Sequence, residues 1–192
     1  MNIALFASGT GSNVQALITA VEEGRLDATL VCLVCDNPQA AVIDKAQQAQ
    51  IPTLVLPPSA CPHRQAWEEH ILAFLQAHQT DLIVLAGFMR IIGDTLLEAY
   101  PKRIINIHPS LLPEFPGRHG IQDAYEAGVA QTGVTIHFVD AGIDTGEIIA
   151  QESLAIPQEA TLAELEAAIH AIEHRLYPAA LQTLIEKGKM DK

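Results

Sequence analysis

Short apolar runs alternate along the chain with longer segments in which apolar residues recur at helical spacing. Val14, Leu17, Ile18 and Val21 lie at positions i, i+3, i+4 and i+7, which predicts an amphipathic helix after the first run. Some runs are apolar on both faces, which favours a parallel sheet covered by helices on both sides. The runs predict strands at 2–7, 28–35, 53–56, 81–86 and 103–107.

The remaining segments complete this alternation. Helical spacing predicts helices near 39–50, around Trp67 to Leu75, near 94–100, near 120–128 and from about 161 to 187. Strands at 133–139 and 147–155 are separated by a short glycine-bounded loop, which predicts an antiparallel hairpin. The predicted fold is α/β: a Rossmann-like, doubly wound, mostly parallel sheet with an antiparallel edge. We expect one domain over 1–192, with a nucleotide-binding half at about 1–100 and a catalytic half at about 101–192.

Composition and charge narrow the class of protein. The chain has 192 residues, of which 49% are hydrophobic, and a net charge of −12. This charge argues against a general nucleic-acid or anionic-membrane surface, so no nucleic acid and no membrane is expected as a partner. The N-terminal residues lack a basic leader region, and no run reaches the ~18 apolar residues of a membrane helix. We therefore expect a soluble, cytoplasmic protein.

The three cysteines do not predict a disulfide framework. Cys32 and Cys35 match the spacing of a redox or zinc half-motif, but they lie within a predicted strand. Side chains three residues apart on a strand point to opposite faces, so we expect both thiols in the core, on different sides of the sheet.

Two polar side chains interrupt the apolar run that ends near position 107. Asn106 and His108 alternate with Ile105 and Ile107, so they share one face at the carboxyl end of the strand. Ligands bind at that end in open α/β sheets. Three prolines in the next loop fix φ and favour a preformed wall. The pair is thus a candidate for catalysis, and a hydrogen-bonded core histidine beside a capping Asn is the alternative.

A glycine-rich loop from Ser8 to Asn13 joins the first strand to the first helix. Gly9 and Gly11 allow close approach of the backbone, and the helix N-terminus with Ser12 offers donors to an anion. Val14 occupies the position of the third glycine of a dinucleotide fingerprint, and no Gly-Lys-Ser/Thr of a P-loop follows. A phosphate monoester is the favoured ligand, and a tight βα turn with an N-cap is the alternative.

A carboxylate between two glycines is the third candidate. Asp144 lies between Gly142 and Gly146, where a lone Asp is usually solvated or part of a turn. Together with Asn106 and His108, it supplies an amide, an imidazole and a carboxylate without a nucleophile. Such a set suits acyl transfer in which the substrate itself attacks.

These features lie in the register of a known family. Four motifs that span most of the chain carry the resemblance: Ser8-Gly9-x-Gly11-Ser12-Asn13, Leu85-Ala86-Gly87-Phe88-Met89-Arg90, Asn106-Ile107-His108-Pro109-Ser110-Leu111-Leu112-Pro113 and Asp144-x-Gly146. The chain resembles the folate-dependent phosphoribosylglycinamide formyltransferases of purine synthesis. The resemblance implies the formyltransferase fold. It also implies transfer of a formyl group from the co-substrate 10-formyltetrahydrofolate to the amine of 5-phosphoribosylglycinamide.

The resemblance assigns roles position by position. It implies direct amine attack assisted by Asn106, His108 and Asp144, without a covalent intermediate or a metal. His170, where the family often has Gln or Lys, would lie near the phosphate. The ribonucleotide would contact Gly11, Ser12, Asn13, His170 and Glu173. The folate would lie along Arg64, Leu85, Met89, Arg90, Ile92, Leu97, Val139, Asp140 and Ala141. The catalytic side chains would be supported from behind by His137 and Thr135.

Two other functions stay open at this point. A 10-formyltetrahydrofolate hydrolase would use the same three catalytic residues and pass the formyl group to water. Such hydrolases usually carry a further N-terminal domain, whereas this chain begins at its first strand, so we expect transfer. A non-catalytic nucleotide-binding module would have no need of Asn106, His108 and Asp144 together. The expected partners are the two small-molecule substrates, and the expected state is a monomer or a weak homodimer.

Overall fold

A seven-stranded sheet runs through the middle of the protein. The computed structural model describes residues 1–188. The strands are β1 Asn2–Ala7, β2 Thr29–Cys35, β3 Thr53–Val55, β4 Leu82–Leu85, β5 Ile104–His108, β6 Gln131–Phe138 and β7 Ile148–Ala155. Across the sheet their order is β3-β2-β1-β4-β5-β6-β7. Strands β1 to β5 are parallel, and β6 pairs antiparallel with both β5 and β7. The predicted mostly parallel sheet with an antiparallel edge is confirmed.

Helices cover both faces of the sheet. In the described part of the chain the α-helices are α1 Ser12–Glu22, α2 Val42–Gln48, α3 Arg64–Ala77, α4 Asp94–Ala99, α5 Gly120–Glu126 and α6 Leu162–Glu186, and a short 3₁₀ helix spans Pro58–Ala60. Leu17 of α1, Val42 of α2 and Ile169 of α6 belong to the core on one face. Trp67 of α3 and Leu96 of α4 belong to the core on the other. Within residues 1–188, no helix combines the length and the apolar character that crossing a membrane requires.

The boundaries of the elements differ little from the predicted ones. The largest shift is at α2, which begins at Val42, whereas the sequence pattern predicted a helix from 39. The Asn37 side chain accepts a 3.0 Å hydrogen bond from the Gln39 N–H, and the Asn37 carbonyl accepts one from Ala40. A turn closed by this asparagine therefore occupies the first positions of the predicted helix.

The two cysteines of β2 lie on opposite faces of the sheet, as predicted. Cys35 belongs to the core that contains α1, and Cys32 belongs to the core that contains α3. Both thiols are free. Burial raises the pKa of the Cys32 thiol to about 11, and a contact with Thr80 lowers it only in part. A protonated, buried thiol of this kind packs as a small apolar side chain.

One buried tyrosine connects the last helix to the sheet. Tyr177 of α6 is fully buried, and its hydroxyl oxygen lies 3.0 Å from the carbonyl oxygen of Leu85 and 3.1 Å from that of Ile105. Leu85 ends β4 and Ile105 lies in β5, its neighbour, so a single O–H group serves carbonyls of two strands. Burial raises the pKa of this phenol well above its ordinary value, so the hydroxyl keeps the proton that it donates.

Candidate active site

A cavity of about 370 Å³ opens at the carboxyl ends of the parallel strands. Strand β1 lies between β2 and β4, so the direction of winding reverses beside it, and α/β sheets bind ligands at such a point. The cavity is lined by the loop after β1, the segment 85–92, the end of β5, the loop after β6 and two residues of α6. The three polar features of the sequence therefore meet in one cavity.

The pairing of β5 with β6 positions three polar side chains at the cavity. Asn106 lies opposite His137 in the antiparallel register, and both residues line the cavity together with His108. Residues opposite each other in such a pair project to the same face of the sheet. His108 and His137 are 3% and 2% exposed, so packing against the surrounding protein fixes the positions of their imidazoles.

Asp144 lies between the two imidazoles. Its Oδ2 is 3.5 Å from Nδ1 of His108, and its Oδ1 is 3.5 Å from Nε2 of His137 and from Nδ2 of Asn106. The backbone N–H of Gly117 donates to Oδ2 at 2.8 Å. Burial acts to raise the pKa of this carboxyl, but the contact with His137, the Gly117 hydrogen bond and the charge of His108 together lower it. Asp144 is therefore held as a carboxylate beside the imidazoles.

The loop after β1 forms the N-terminus of α1 at one end of the cavity. Gly11 is the N-cap residue and has φ 72°, a left-handed conformation that favours glycine. A Cβ on Gly11 would also lie 2.4 Å from Cγ2 of Val42. Both the backbone conformation and the steric contact therefore disfavour any other residue here. Asn13 is 8% exposed, and its Nδ2 donates to Oε2 of Glu173 at 3.2 Å. Its Oδ1 is buried and has no partner among the described residues.

Helix α6 contributes an ion pair to the same end of the cavity. Nδ1 of His170 lies 2.8 Å from Oε2 of Glu173, and both residues line the cavity. This hydrogen bond raises the pKa of His170, although burial acts in the opposite direction. Burial lowers the pKa of the neighbouring His174, whose ring stacks on His170 at 6.3 Å between centroids. Glu173 is 4% exposed, so its carboxylate is buried against the cavity and does not lie on a solvated helix face.

The other end of the cavity has an apolar wall. In the segment after β4, Met89 N–H donates to Oγ of Ser8 at 2.9 Å, and Arg90 Nε lies 2.6 Å from Oδ2 of the buried Asp36. Met89 is 51% exposed beside the opening. The predicted folate positions that line the cavity are Leu85, Met89, Arg90, Ile92, Val139 and Asp140.

Three predicted folate positions lie outside the cavity lining. Arg64 donates to the carboxylate of Glu68 and to the carbonyl of Ile91, so it holds the far end of the 85–92 segment. Leu97 packs against the core beneath α3 and α4. Ala141 is exposed in the loop after β6.

Thr135 lies behind the turn that follows β5. Its hydroxyl accepts from the Leu112 N–H at 3.1 Å and donates to the Ser110 carbonyl at 2.7 Å. Gln151 of β7 donates to the same hydroxyl and to the Leu112 carbonyl. The Leu112–Pro113 peptide bond of this turn is cis. Thr135 does not line the cavity. It holds the backbone of the turn that directly follows His108.

Two further residues of this turn line the cavity and were not predicted. Gly117 donates its backbone N–H to Asp144, and Arg118 donates from Nη2 to the Met89 carbonyl at 3.2 Å. The Pro116-Gly117 pair marks a turn in the sequence, but a turn signal does not tell where the chain travels next. That the turn folds back over β5 is visible only in three dimensions.

Comparisons with known proteins agree over nearly the whole chain. A family profile described as Formyl transferase matches residues 1–181. The chain is 48% identical over 182 residues to the phosphoribosylglycinamide formyltransferase of Bacillus subtilis (strain 168), covering 95% of this chain and 93% of the relative. The crystal structure of phosphoribosylglycinamide formyltransferase from Bacillus halodurans matches with a TM-score of 0.95 and 48% identity, covering 98% of this chain and 97% of that one. Glycinamide ribonucleotide transformylase 1 from Geobacillus kaustophilus gives a TM-score of 0.94 at 49% identity, covering 95% and 97%.

Proposed function

The chain belongs to the formyl transferase family, and on this premise we propose that it formylates the amine of 5-phosphoribosylglycinamide in purine biosynthesis. Its one-carbon donor is the co-substrate 10-formyltetrahydrofolate. One observation carries the assignment of the site: an amide, an imidazole and a carboxylate meet within 3.5 Å contacts in a cavity that also contains a helix N-terminus.

The ribonucleotide binds at the end of the cavity formed by α1 and α6. Its phosphate takes hydrogen bonds from the loop at Gly11, Ser12 and Asn13, because backbone N–H groups at a helix N-terminus favour an anion. The net charge of −12 opposes an anionic substrate, so these local donors and protonated His170 must supply the attraction. Asn13 and His170 both bond Oε2 of Glu173, which leaves Oε1 to accept from the ribose hydroxyls.

The folate lies along the apolar wall formed by the segment after β4 and the loop after β6. Leu85, Ile92 and Val139 offer apolar surface to a flat aromatic ring. This position brings the formyl group to the end of β5. The amine of the ribonucleotide reaches the same point from the opposite end of the cavity.

The reaction needs one new bond, one broken bond and one proton transfer. The neutral amine attacks the formyl carbon, and the developing oxyanion is stabilised by the Asn106 amide and by protonated His108. The bond from the formyl carbon to N10 of the folate then breaks. Asp144 favours the charged imidazole and helps to pass the proton from the attacking nitrogen to N10. His137 contacts Oδ1 of Asp144 and keeps the carboxylate facing the reacting centre.

The test separates transfer from hydrolysis. Purified protein is mixed with 10-formyltetrahydrofolate, with and without 5-phosphoribosylglycinamide, and release of tetrahydrofolate is followed. We expect folate product only when the amine is present, because the cavity is lined both by the loop at Gly11, Ser12 and Asn13 and by the apolar wall proposed for the folate. Comparable turnover with water alone would assign the site to a hydrolase, and no turnover in either mixture would favour a non-catalytic binding module.

We further propose that the chain acts as one catalytic domain. Residues 189–192 of the predicted domain lie outside the residues that the structure describes. The continuous sheet supports this proposal, since β1 to β7 form one unit. The acidic net charge supports a protein that works on small molecules without nucleic acid, as a monomer or weak homodimer.

A further inference from the structure

The turn after β5 gives no side chain to the reaction above, yet its backbone contacts the catalytic imidazole. Nε2 of His108 lies 2.8 Å from the carbonyl oxygen of Phe115. A carbonyl oxygen can only accept a hydrogen bond, so Nε2 must carry a hydrogen. The other ring nitrogen, Nδ1, lies 3.5 Å from Oδ2 of Asp144. With Nε2 always protonated, Nδ1 is the nitrogen that gains and loses a proton, and it faces the carboxylate.

A buried hydroxyl holds the Phe115 carbonyl in this position. Ser110 is fully buried, and its Oγ donates to the Glu114 carbonyl and lies 3.4 Å from the Phe115 carbonyl oxygen. One hydroxyl reaches both successive carbonyls. Phe115 has φ 50°, a left-handed conformation that is costly for a residue with a side chain. The contacts of Ser110 therefore stabilise a backbone conformation that the local sequence does not favour.

A glycine leaves room for the same contact. A Cβ on Gly120, the first residue of α5, would lie 3.1 Å from Nε2 of His108 and 3.2 Å from the Phe115 carbonyl oxygen. Both distances are tighter than ordinary van der Waals contact, so a side chain here would push the ring and the carbonyl apart. Gly120 thus acts by having no side chain at the point where the two groups meet.

We propose that Ser110 and Gly120 are positioning residues that keep the Phe115 carbonyl on Nε2 and so fix the tautomer of His108. The catalytic consequence rests on the proposed function: with the Nε2 hydrogen bonded to the Phe115 carbonyl, the hydrogen that charged His108 can offer to the oxyanion is the one on Nδ1, beside Asp144. The tautomer itself is a property of the protein without substrates. Its measurement therefore stands whether or not the proposed reaction is correct.

Nitrogen NMR of the histidine-labelled protein tests the proposal directly. The His108 signals are identified by their loss in His108→Asn, and spectra are recorded at a pH where the ring is neutral. In the unaltered protein we expect hydrogen on Nε2 and a bare Nδ1. Hydrogen on Nδ1 with a bare Nε2 would overturn the proposal without any variant, so the test does not depend on whether a variant folds.

Two variants then examine the positioning residues. Ser110→Ala and Gly120→Ala should each produce a mixture of tautomers and lower kcat about five- to tenfold, the effect of losing one modest hydrogen bond. Both KM values should change less than about twofold, because neither residue contacts a substrate. Thr132→Ala is the matched control, since it removes a buried hydroxyl of β6 that has no hydrogen-bond partner within residues 1–188. An unchanged tautomer in both alanine variants, or an equal shift in Thr132→Ala, would remove Ser110 and Gly120 from this role.

Discussion

His170 and Glu173 lie one helical turn apart on α6, with 2.8 Å between Nδ1 and Oε2. The Glu173 carboxylate is buried and the His170 side chain is half exposed, and both residues line the cavity. The pKa of His170 is raised by this contact. A histidine in such a pair stays charged to higher pH than an isolated one, and it does so at the end of the cavity assigned to the phosphate.

The ribonucleotide KM should depend on pH through His170. Because its pKa is raised, the positive charge is complete at low pH and is lost as the pH rises through that raised value. We expect the KM for 5-phosphoribosylglycinamide to rise over that range, and His170→Gln should flatten the trend. His174→Gln is the control from the same helix, and it should retain the trend. If His170→Gln kept the full pH dependence of KM, the charge at this phosphate would come from another group.

The hydroxyl of Ser12 should contribute to phosphate binding without affecting the folate. Ser12→Ala should raise the ribonucleotide KM about ten- to a hundredfold, as expected for loss of a hydrogen bond to a charged group. Steady-state kinetics with each substrate varied in turn gives both KM values. Gly11→Val is a poorer test, because its Cβ would meet Val42 and force the left-handed φ on a branched residue. A Ser12→Ala enzyme with unaltered ribonucleotide KM would place the anion elsewhere.

The amide of Asn106 should act in the transition state rather than in substrate binding. Asn106→Ala should lower kcat by about 10²–10³, the usual effect of removing one donor to an oxyanion. Both KM values should change little, and the thermal midpoint should stay close to that of the unaltered protein because Asn106 is only half-buried. A raised folate KM with unchanged kcat would instead identify Asn106 as a binding residue.

Asp144 should stabilise the folded protein in a pH-dependent manner. Its pKa is lowered by folding, so its contribution to the free energy of unfolding is present above the ordinary carboxyl pKa and is lost as the pH falls through the lowered value. The difference in unfolding free energy between the unaltered protein and Asp144→Asn should therefore shrink between about pH 7 and about pH 3. Urea titrations at both pH values measure it. Asp123→Asn, an exposed carboxylate on α5, controls for net charge. An equal pH dependence in the two variants would contradict the prediction.

The buried carboxylate of Asp36 should affect the folate end of the cavity alone. Asp36 holds Arg90 through a 2.6 Å contact, and Asp36→Asn keeps the shape while removing the charge. We expect the folate KM to rise about three- to tenfold with the ribonucleotide KM within about twofold, since Arg90 belongs to the folate wall. Glu23→Gln, which breaks the exposed pair with Arg25, is the control. Equal changes in both KM values would indicate a general loss of structure.

The sequence predicted the sheet and its antiparallel edge because both depend on local periodicity. Alternation along one strand also placed Asn106 and His108 on the same face, whereas the grouping of Asp144 with them rested on their chemistry and on the family resemblance, because 38 residues separate it from Asn106. The family inferred from the motifs is confirmed by the comparisons, which extend over nearly the whole chain. The contacts of Gly117 and Phe115 could not be predicted in this way. They are made by backbone groups, which every residue has, and only the path of the turn decides where those groups point.

Two predicted folate positions that lie outside the cavity lining, Arg64 and Leu97, show a second limit of sequence-based prediction. Arg64 and Leu97 belong to helices whose apolar faces the periodicity predicted, but the periodicity does not tell which residue at the rim reaches the cavity. In the structure, Arg64 is used to hold the Ile91 carbonyl and Glu68, and Leu97 packs in the core. The spacing of apolar residues identifies the buried face of a helix, whereas the geometry of a binding site depends on the paths of the loops around it.

The bridging hydroxyl of Tyr177 has a consequence for how the two substrates are aligned. It fixes α6 against β4 and β5, and α6 also carries Glu173 about one turn earlier. Glu173, which we propose binds the ribose, and the strand ends at which we propose the formyl group lies are therefore parts of one rigid frame. The gap that the amine must cross to its target is set by the folded chain before either molecule arrives, so alignment of the reactants is built in during folding rather than assembled at each turnover.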